Sequence, residues 1–160
     1  MKITKIITGI CTIGLGFAAG AFFVSKTKNS ILKKKDEKIN KFRSYYDTLN
    51  HWMELRHNEI TLEQYFIKNN YKTIAIYGMG EMGNRLCSEL KDSSVEIKYA
   101  IDKNAESTYS DLKIVAIEDD LEEVDAVVVS ATFAFGEVEP LISEKLDCAV
   151  ISLEEVVFDL

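Results

Sequence analysis

The chain has 160 residues, of which 47% are hydrophobic and 28% charged, and this length suits about one domain. Its charge is unevenly divided: residues 1–71 hold 12 Lys and Arg against 6 Asp and Glu, whereas residues 72–160 hold 7 against 20. The resulting net charge of −13 on residues 72–160 makes them a poor partner for nucleic acid, whose phosphates need basic side chains.

The N-terminal segment contains a long apolar run. Residues 6–24 are 19 consecutive residues without a charged side chain. At about 1.5 Å per residue, a helix of this length would cross the ~30 Å hydrocarbon layer of a bilayer. A cleaved signal peptide is the alternative, since small residues at 19–21 resemble a cleavage site, but the run exceeds the usual ~7–15 apolar residues. We therefore predict a transmembrane anchor over residues 1–25.

The charges beside this run predict its orientation. Two lysines precede the run and five follow it closely. The five are Lys26, Lys28, Lys33, Lys34 and Lys35. Such a bias places the C-terminal part in the cytoplasm, and the same lysines suit the anionic headgroups of a lipid bilayer. Three cysteines without a C-x-x-C pair or a Cys/His cluster agree with a reducing compartment. We expect a single-pass protein of the cell membrane.

Residues 29–57 are predicted to be helical, with an apolar seam at steps of three and four. The seam consists of Ile39, Phe42, Tyr46, Leu49 and Met53. Two heptads fall short of the ~3–4 that indicate a coiled coil, so packing of this helix on its own domain is favoured over a dimer stalk. A homodimer stays open as a hypothesis, because Gly16-x-x-x-Gly20 in the apolar run is a helix-pairing motif.

A second, shorter helix is expected before the first strand. Thr61 and Gln64 have the spacing of a capping box, which predicts a helix from about Thr61 to Asn69. Together with the basic segment, the two helices make residues 26–70 a predicted juxtamembrane and helical stalk. The remaining residues, 71–160, are predicted to form the third segment, a folded domain.

A glycine motif opens this domain. Gly78, Gly80 and Gly83 have the spacing G-x-G-x-x-G, after the apolar run Ile74–Tyr77 and before a helical pattern. In a dinucleotide-binding turn the first glycine permits the tight turn, the second lets the backbone approach a pyrophosphate, and the third lets the helix pack closely. The flanking strand and helix make the motif typical of a Rossmann-like fold.

Beyond the motif, strands and helices alternate. The expected strands are 72–77, 96–101, 113–117, 125–130 and 148–152, and the expected helices are 81–91, 136–145 and 153–158, with a short turn near 119–123. Such βα alternation predicts an α/β domain, a small five-stranded parallel sheet in the order 3-2-1-4-5. The link 103–112 is too short and polar for a full helix, so we expect a loop there.

The candidate ligand-binding residues all follow strands of this sheet. In open α/β sheets ligands bind outside the carboxyl ends of the strands, at the point where strand order reverses. Asp102 lies 19 residues after Gly83, close to the position of an acid that holds a ribose diol, which favours NAD or a nucleotide sugar over NADP. The full candidate set is Gly78, Met79, Gly80, Glu81, Met82, Gly83, Asp102, Lys103, Ser130 and Ala131.

Four stretches carry a resemblance to a known family: IAIYGMGEMGNRL, YAIDKN, IEDDLEEVDAVVVSA and CAVISLEEVV. Residues 72–160 resemble the Rossmann-like domains that precede sugar-nucleotide acetyltransferases and membrane sugar-nucleotide dehydratases of bacterial polysaccharide synthesis. The resemblance covers a little over half of the chain. It implies that Gly78, Gly80 and Gly83 cradle phosphate and that Asp102 contacts ribose or base.

The sequence departs from this family in its chemistry. No acetyltransferase or dehydratase domain follows in the 160 residues, and no nucleophile–base pair is found, so no catalytic residue and no metal ligand is assigned. We expect a membrane-anchored, non-catalytic module that binds NAD or a nucleotide sugar and is accessory to polysaccharide assembly. A polysaccharide-synthesis protein is the expected alternative to a homodimer as partner. The alternative functions are an NAD-dependent oxidoreductase or epimerase component completed by a partner chain, and a scaffold with a vestigial nucleotide site.

Overall fold

The computed structural model describes residues 32–36, 38–105 and 112–160. The chain divides into two units between Arg43 and Ser44, and each is described by itself. The predicted domain boundaries differ from this division and stay predictions.

The described residues of the first unit are helical. They comprise 32–36 and 38–43, which agrees with the helix expected over 29–57. No helix among the described residues is long and apolar enough to cross a bilayer. The predicted span, 6–24, lies outside those residues.

The second unit is built on a five-stranded parallel sheet. Its strands run in the order β3-β2-β1-β4-β5. They are β1 (Thr73–Tyr77), β2 (Glu96–Ile101), β3 (Ile114–Val115), β4 (Ala126–Val129) and β5 (Ala149–Ser152). The α/β class, the parallel pairing and the predicted strand order are confirmed.

Helices cover both faces of the sheet because its central strands are apolar on both sides. Every residue of β4 is buried, as expected for a strand enclosed between two layers. The helices are α1 (44–57), α2 (Glu63–Lys68), α3 (Glu81–Leu90), α4 (Phe135–Ser143) and α5 (Leu153–Phe158). Side chains of α1, α2, α3 and α5 share one buried cluster, and those of α4 share the other with the irregular segment 116–124.

Helix α1 packs on its own unit, but mainly through positions other than the seam read from the sequence. Tyr46 and Met53 of that seam are exposed, whereas Leu49 is half-buried and packs against the core cluster. The buried positions are instead Thr48, Trp52 and Leu55, which recur at i, i+4 and i+7 and so form one stripe along the helix. The buried stripe therefore includes the large Trp52 side chain and leaves Tyr46 and Met53 of the predicted seam facing outward.

The predicted capping box is wrong. Helix α2 begins at Glu63 with Leu62 in the cap position, and no side chain caps this end. Leu62 is fully buried and its N–H lies 3.4 Å from a carboxylate oxygen of Glu89. Burying a leucine is worth roughly 1.5–3 kcal/mol, more than the ~1 kcal/mol of a typical side-chain cap, so core packing sets where this helix starts.

Strand β3 is shorter than the predicted 113–117. The N–H of Ala116 donates to Oδ2 of Asp119 at 2.8 Å, and the N–H of Asp119 donates back to the Ala116 carbonyl at 3.2 Å. This turn diverts the backbone from the sheet directly after Val115. The loop expected over 103–112 is described only at its two ends.

Asp125 joins the starts of β1 and β4. Its Oδ2 accepts hydrogen bonds from the N–H of Lys72 at 2.8 Å, the N–H of Thr73 at 2.7 Å and the Thr73 hydroxyl at 3.0 Å. The Thr73 N–H, then the Lys72 N–H and the Thr73 hydroxyl, lower the pKa of Asp125 below its usual value. The register of the two central strands is thus fixed at the amino edge by one carboxylate.

This contact predicts an acid-sensitive part of the stability. Because the folded-state pKa of Asp125 is lowered, its stabilisation is complete above the unfolded-state pKa of about 3.9 and is lost as pH falls through the folded-state value. We expect the urea midpoint of Asp125→Asn to fall less than that of the wild type between about pH 5 and pH 2.5. Asp120→Asn, at an exposed acid, should follow the wild type. Equal slopes for Asp125→Asn and wild type would contradict the assignment.

Candidate functional site

The turn after β1 can be formed only with a glycine at its first position. Gly78 has φ of +93°, a region that L side chains rarely adopt. Its N–H donates to the Ile101 carbonyl at 2.8 Å, and its carbonyl accepts the Ser130 hydroxyl at 2.6 Å. The turn is therefore tied to the carboxyl ends of both neighbouring strands, β2 and β4.

The third glycine of the motif allows α3 to lie against this turn. A Cβ atom on Gly83 would lie 2.1 Å from the Gly78 carbonyl oxygen, a distance that no side chain can occupy. The second glycine differs, since a Cβ atom on Gly80 would meet nothing within 4 Å. Gly78 and Gly83 thus shape the turn, and the space above Gly80 is open.

Asp102 reaches back from the end of β2 to the glycine turn. Its Oδ2 accepts the Met79 N–H at 2.8 Å, and its Oδ1 accepts the N–H of Asn104 at 2.8 Å. The acid predicted to hold a ribose diol therefore also holds the protein's own backbone. Each carboxylate oxygen retains a lone pair beyond the bond described.

The other candidate residues fall into three groups. The side chains of Met79 and Met82 are buried in the core cluster, so these residues can offer a ligand only backbone atoms. Glu81 and Lys103 are exposed. Ser130 and Ala131 lie against Gly78, and the Ala131 Cβ is 3.5 Å from where a Gly78 Cβ would be.

The predicted set therefore gathers at the carboxyl edge of β1, β2 and β4. The structure brings together the glycine turn, Asp102, Ser130 and Ala131 at the point where strand order reverses. We name this edge of the sheet the crevice, and ligand binding there stays a prediction.

The start of helix α3 brings backbone amides to the crevice. Helix α3 begins at the crevice, has ten residues, and its cap position, Gly80, makes no side-chain cap bond. The first amides of a helix have no intrahelical acceptor, and the helix dipole adds partial positive charge there. A phosphate above Gly80 would meet these amides directly. The exposed carboxylate of Glu81, in the first turn of α3, would repel such a phosphate.

Two residues of the crevice were missed from the sequence. Asn84 donates from Nδ2 to the carbonyls of Met79 at 3.0 Å and Gly80 at 3.1 Å, which braces the turn. An asparagine one turn into a helix is a weak helix former that often bonds to nearby backbone, and this could have indicated its role. Tyr77, the last residue of β1, is buried, and its hydroxyl has no hydrogen-bond partner among the residues that the structure describes.

A separate cleft of about 590 Å³ lies between α1 and α3 and reaches Asn84 beside the turn. Its charged lining includes Arg56, Arg85 and Asp92. Arg56 pairs with Glu89 at 3.2 Å, so one of its two arginines is neutralised within the protein.

No family model, curated protein or solved structure matches this chain. Within the parts of the chain that the structure describes, no group of three or more His, Cys, Asp or Glu could hold a metal ion. The site is therefore interpreted from its own geometry.

Because an added Cβ atom would meet Gly78 at Gly83 and nothing within 4 Å at Gly136, substitution by alanine should have opposite effects on the free energy of unfolding at Gly83 and Gly136. We expect Gly83→Ala to lower the free energy of unfolding by about 1–3 kcal/mol, because α3 must move away from the turn. Gly136→Ala in α4 should raise it by up to about 1 kcal/mol, since its Cβ meets nothing within 4 Å and alanine favours the helix. Urea unfolding measures both, and equal effects would contradict the close packing.

The bonds of Asp102 predict a structural role that does not depend on ligand. Asp102→Ala leaves the N–H groups of Met79 and Asn104 without their acceptor, and we expect a loss of about 2 kcal/mol. Asp120→Ala, at an exposed acid, should change stability by less than about 0.5 kcal/mol. Both values come from urea unfolding without ligand, and an unchanged Asp102→Ala would show that these bonds contribute little.

Proposed function

We propose that this protein is a membrane-anchored, non-catalytic module that binds NAD or a nucleotide sugar through a Rossmann-like domain. The ligand's diphosphate lies above Gly80, at the N-terminus of α3. Its ribose diol lies toward Asp102. The role of the protein is accessory to the assembly of bacterial cell-surface polysaccharide.

One observation supports this proposal above the others. Two glycines of the motif are required by the protein's own backbone, whereas Gly80 has no such requirement and has open space above it. That space lies beside helix amides that no side chain caps. A small residue is needed at Gly80 if something outside the chain approaches its backbone, and phosphate is the group that such amides attract.

The ligand class follows from the charges around the diphosphate position. Asp102 lies at the end of β2 and carries a negative charge beside the turn. A ribose diol can donate to its remaining lone pairs, whereas a 2′-phosphate would be repelled by it. NAD and nucleotide sugars carry this free diol, and NADP does not.

The membrane and polysaccharide parts of the proposal come from the sequence. The uncharged run 6–24 and the lysines after it support a single span with the domain in the cytoplasm. The likeness of the motif stretches to domains of polysaccharide-synthesis proteins supports the biological setting. A homodimer or a partner enzyme of the same system would bind outside the crevice.

Thermal melting of the full chain in detergent tests the binding site. We would add NAD, NADP, UDP-glucose or S-adenosylmethionine, each in large excess. At about 100 times its dissociation constant, a true ligand stabilises the fold by about 2.7 kcal/mol, which raises Tm by several degrees. We expect this shift with NAD or UDP-glucose and not with NADP.

The matched variants separate binding from folding. Gly80→Val should melt within a few degrees of the wild type without ligand, because its side chain enters open space, and should abolish the ligand shift. Ser88→Val places the same side chain two turns further along α3 and should keep the shift. If neither NAD nor UDP-glucose shifts the wild type, the nucleotide-binding proposal is wrong and the scaffold interpretation is favoured.

A further inference from the structure

Buried hydroxyl groups without a partner gather at the crevice. In the described ranges, three buried side-chain oxygens lack a hydrogen bond: those of Thr48, Tyr77 and Thr132. Thr48 belongs to α1. Tyr77 ends β1 and Thr132 follows β4, so both lie at the carboxyl edge of the two central strands. Two of these three hydroxyls therefore belong to residues that end or follow the central strands, where the glycine turn also begins.

Of Tyr77 and Thr132, Tyr77 is the stronger candidate for a ligand contact, because its whole side chain is buried. It is only 4% exposed, and leaving a buried hydroxyl unpaired costs roughly 1–3 kcal/mol. Phenylalanine would fill the same space without that cost. The hydroxyl is therefore a feature that the folded protein without ligand does not use.

A second tyrosine in the same cluster has a hydroxyl that is hydrogen-bonded within the protein. Tyr99 of β2 is 2% exposed and belongs to the same buried cluster as Tyr77. Its hydroxyl donates to the Glu122 carbonyl at 2.7 Å. The cluster can thus satisfy a tyrosine internally, whereas the Tyr77 hydroxyl has no hydrogen-bond partner among the described residues.

The surroundings of the Tyr77 hydroxyl are negative. Burial is the main cause that raises the pKa of Tyr77, and the carboxylates of Asp102 and Glu118 raise it further. These acids follow β2 and β3, which lie on one side of β1 in the sheet. A neutral phenol there can donate a hydrogen bond, and an anionic acceptor would be repelled by both acids.

We propose that the Tyr77 hydroxyl donates a hydrogen bond to an uncharged oxygen or nitrogen of the base or sugar of the bound nucleotide. This inference rests on the proposed function and adds a residue that selects the uncharged part of the ligand. The phosphates stay above Gly80, where the helix amides lie.

The cover over this cluster can admit a ligand group. Helix α4 covers part of it, and the remainder is covered by the irregular segment 116–124, from which Ile117 and Leu121 pack against the cluster while only half-buried. The ligand group reaches the hydroxyl by displacing side chains of this segment. Moving such side chains costs less than moving a helix that is packed along its length.

Two tyrosine variants of the full chain in detergent test the inference by titration calorimetry with NAD and with UDP-glucose. We expect Tyr77→Phe to melt at or above the wild-type Tm and to weaken binding of the active ligand about tenfold. Tyr99→Phe should show the reverse, with a lower Tm and an unchanged Kd, because its hydroxyl has an internal partner.

The outcomes separate this inference from the proposed function. A wild type that binds while Tyr77→Phe binds equally well overturns the inference and leaves the proposed function standing. A wild type that binds neither ligand overturns both. Equal weakening by Tyr77→Phe and Tyr99→Phe would show general loosening of the cluster and would also overturn the inference.

Discussion

The crevice depends on the close approach of α3 to the turn after β1. Gly83 lies so near the Gly78 carbonyl that no side chain fits between them, and Gly78 itself needs a positive φ. Together these constraints fix where α3 begins. The first amides of α3, the position of Asn84 and the open space above Gly80 all follow from that starting point, because a helix is rigid over its first turns.

The polar groups at the amino edge and at the carboxyl edge of the sheet differ in how many of their hydrogen bonds are formed. At the amino edge Asp125 accepts three hydrogen bonds and fixes the register of β1 and β4. At the carboxyl edge the hydroxyls of Tyr77 and Thr132 are buried without partners, and the start of α3 has no side-chain cap. One edge thus supplies stability, while the other retains unused bonding capacity of the kind that binding sites have.

Asp102 links these two aspects of the molecule. Its carboxylate orders the turn through Met79 and closes the next turn through Asn104, so it is part of the fold before any ligand arrives. The same oxygens keep lone pairs directed away from those bonds. If the proposed ligand binds here, a residue with both duties would keep the shape of the site independent of its occupancy, and such preorganisation reduces the cost of binding.

The sequence by itself determined the sheet, its strand order and the glycine turn. The sheet and its order depend on local periodicity, and the turn depends on a backbone conformation that favours glycine. The tertiary structure alone decided the start of α2, where burial of Leu62 outweighs a cap. It also decided which residues of α1 are buried and the internal bonds of Asp102 and Tyr99. These depend on which distant residues meet, which no local pattern specifies.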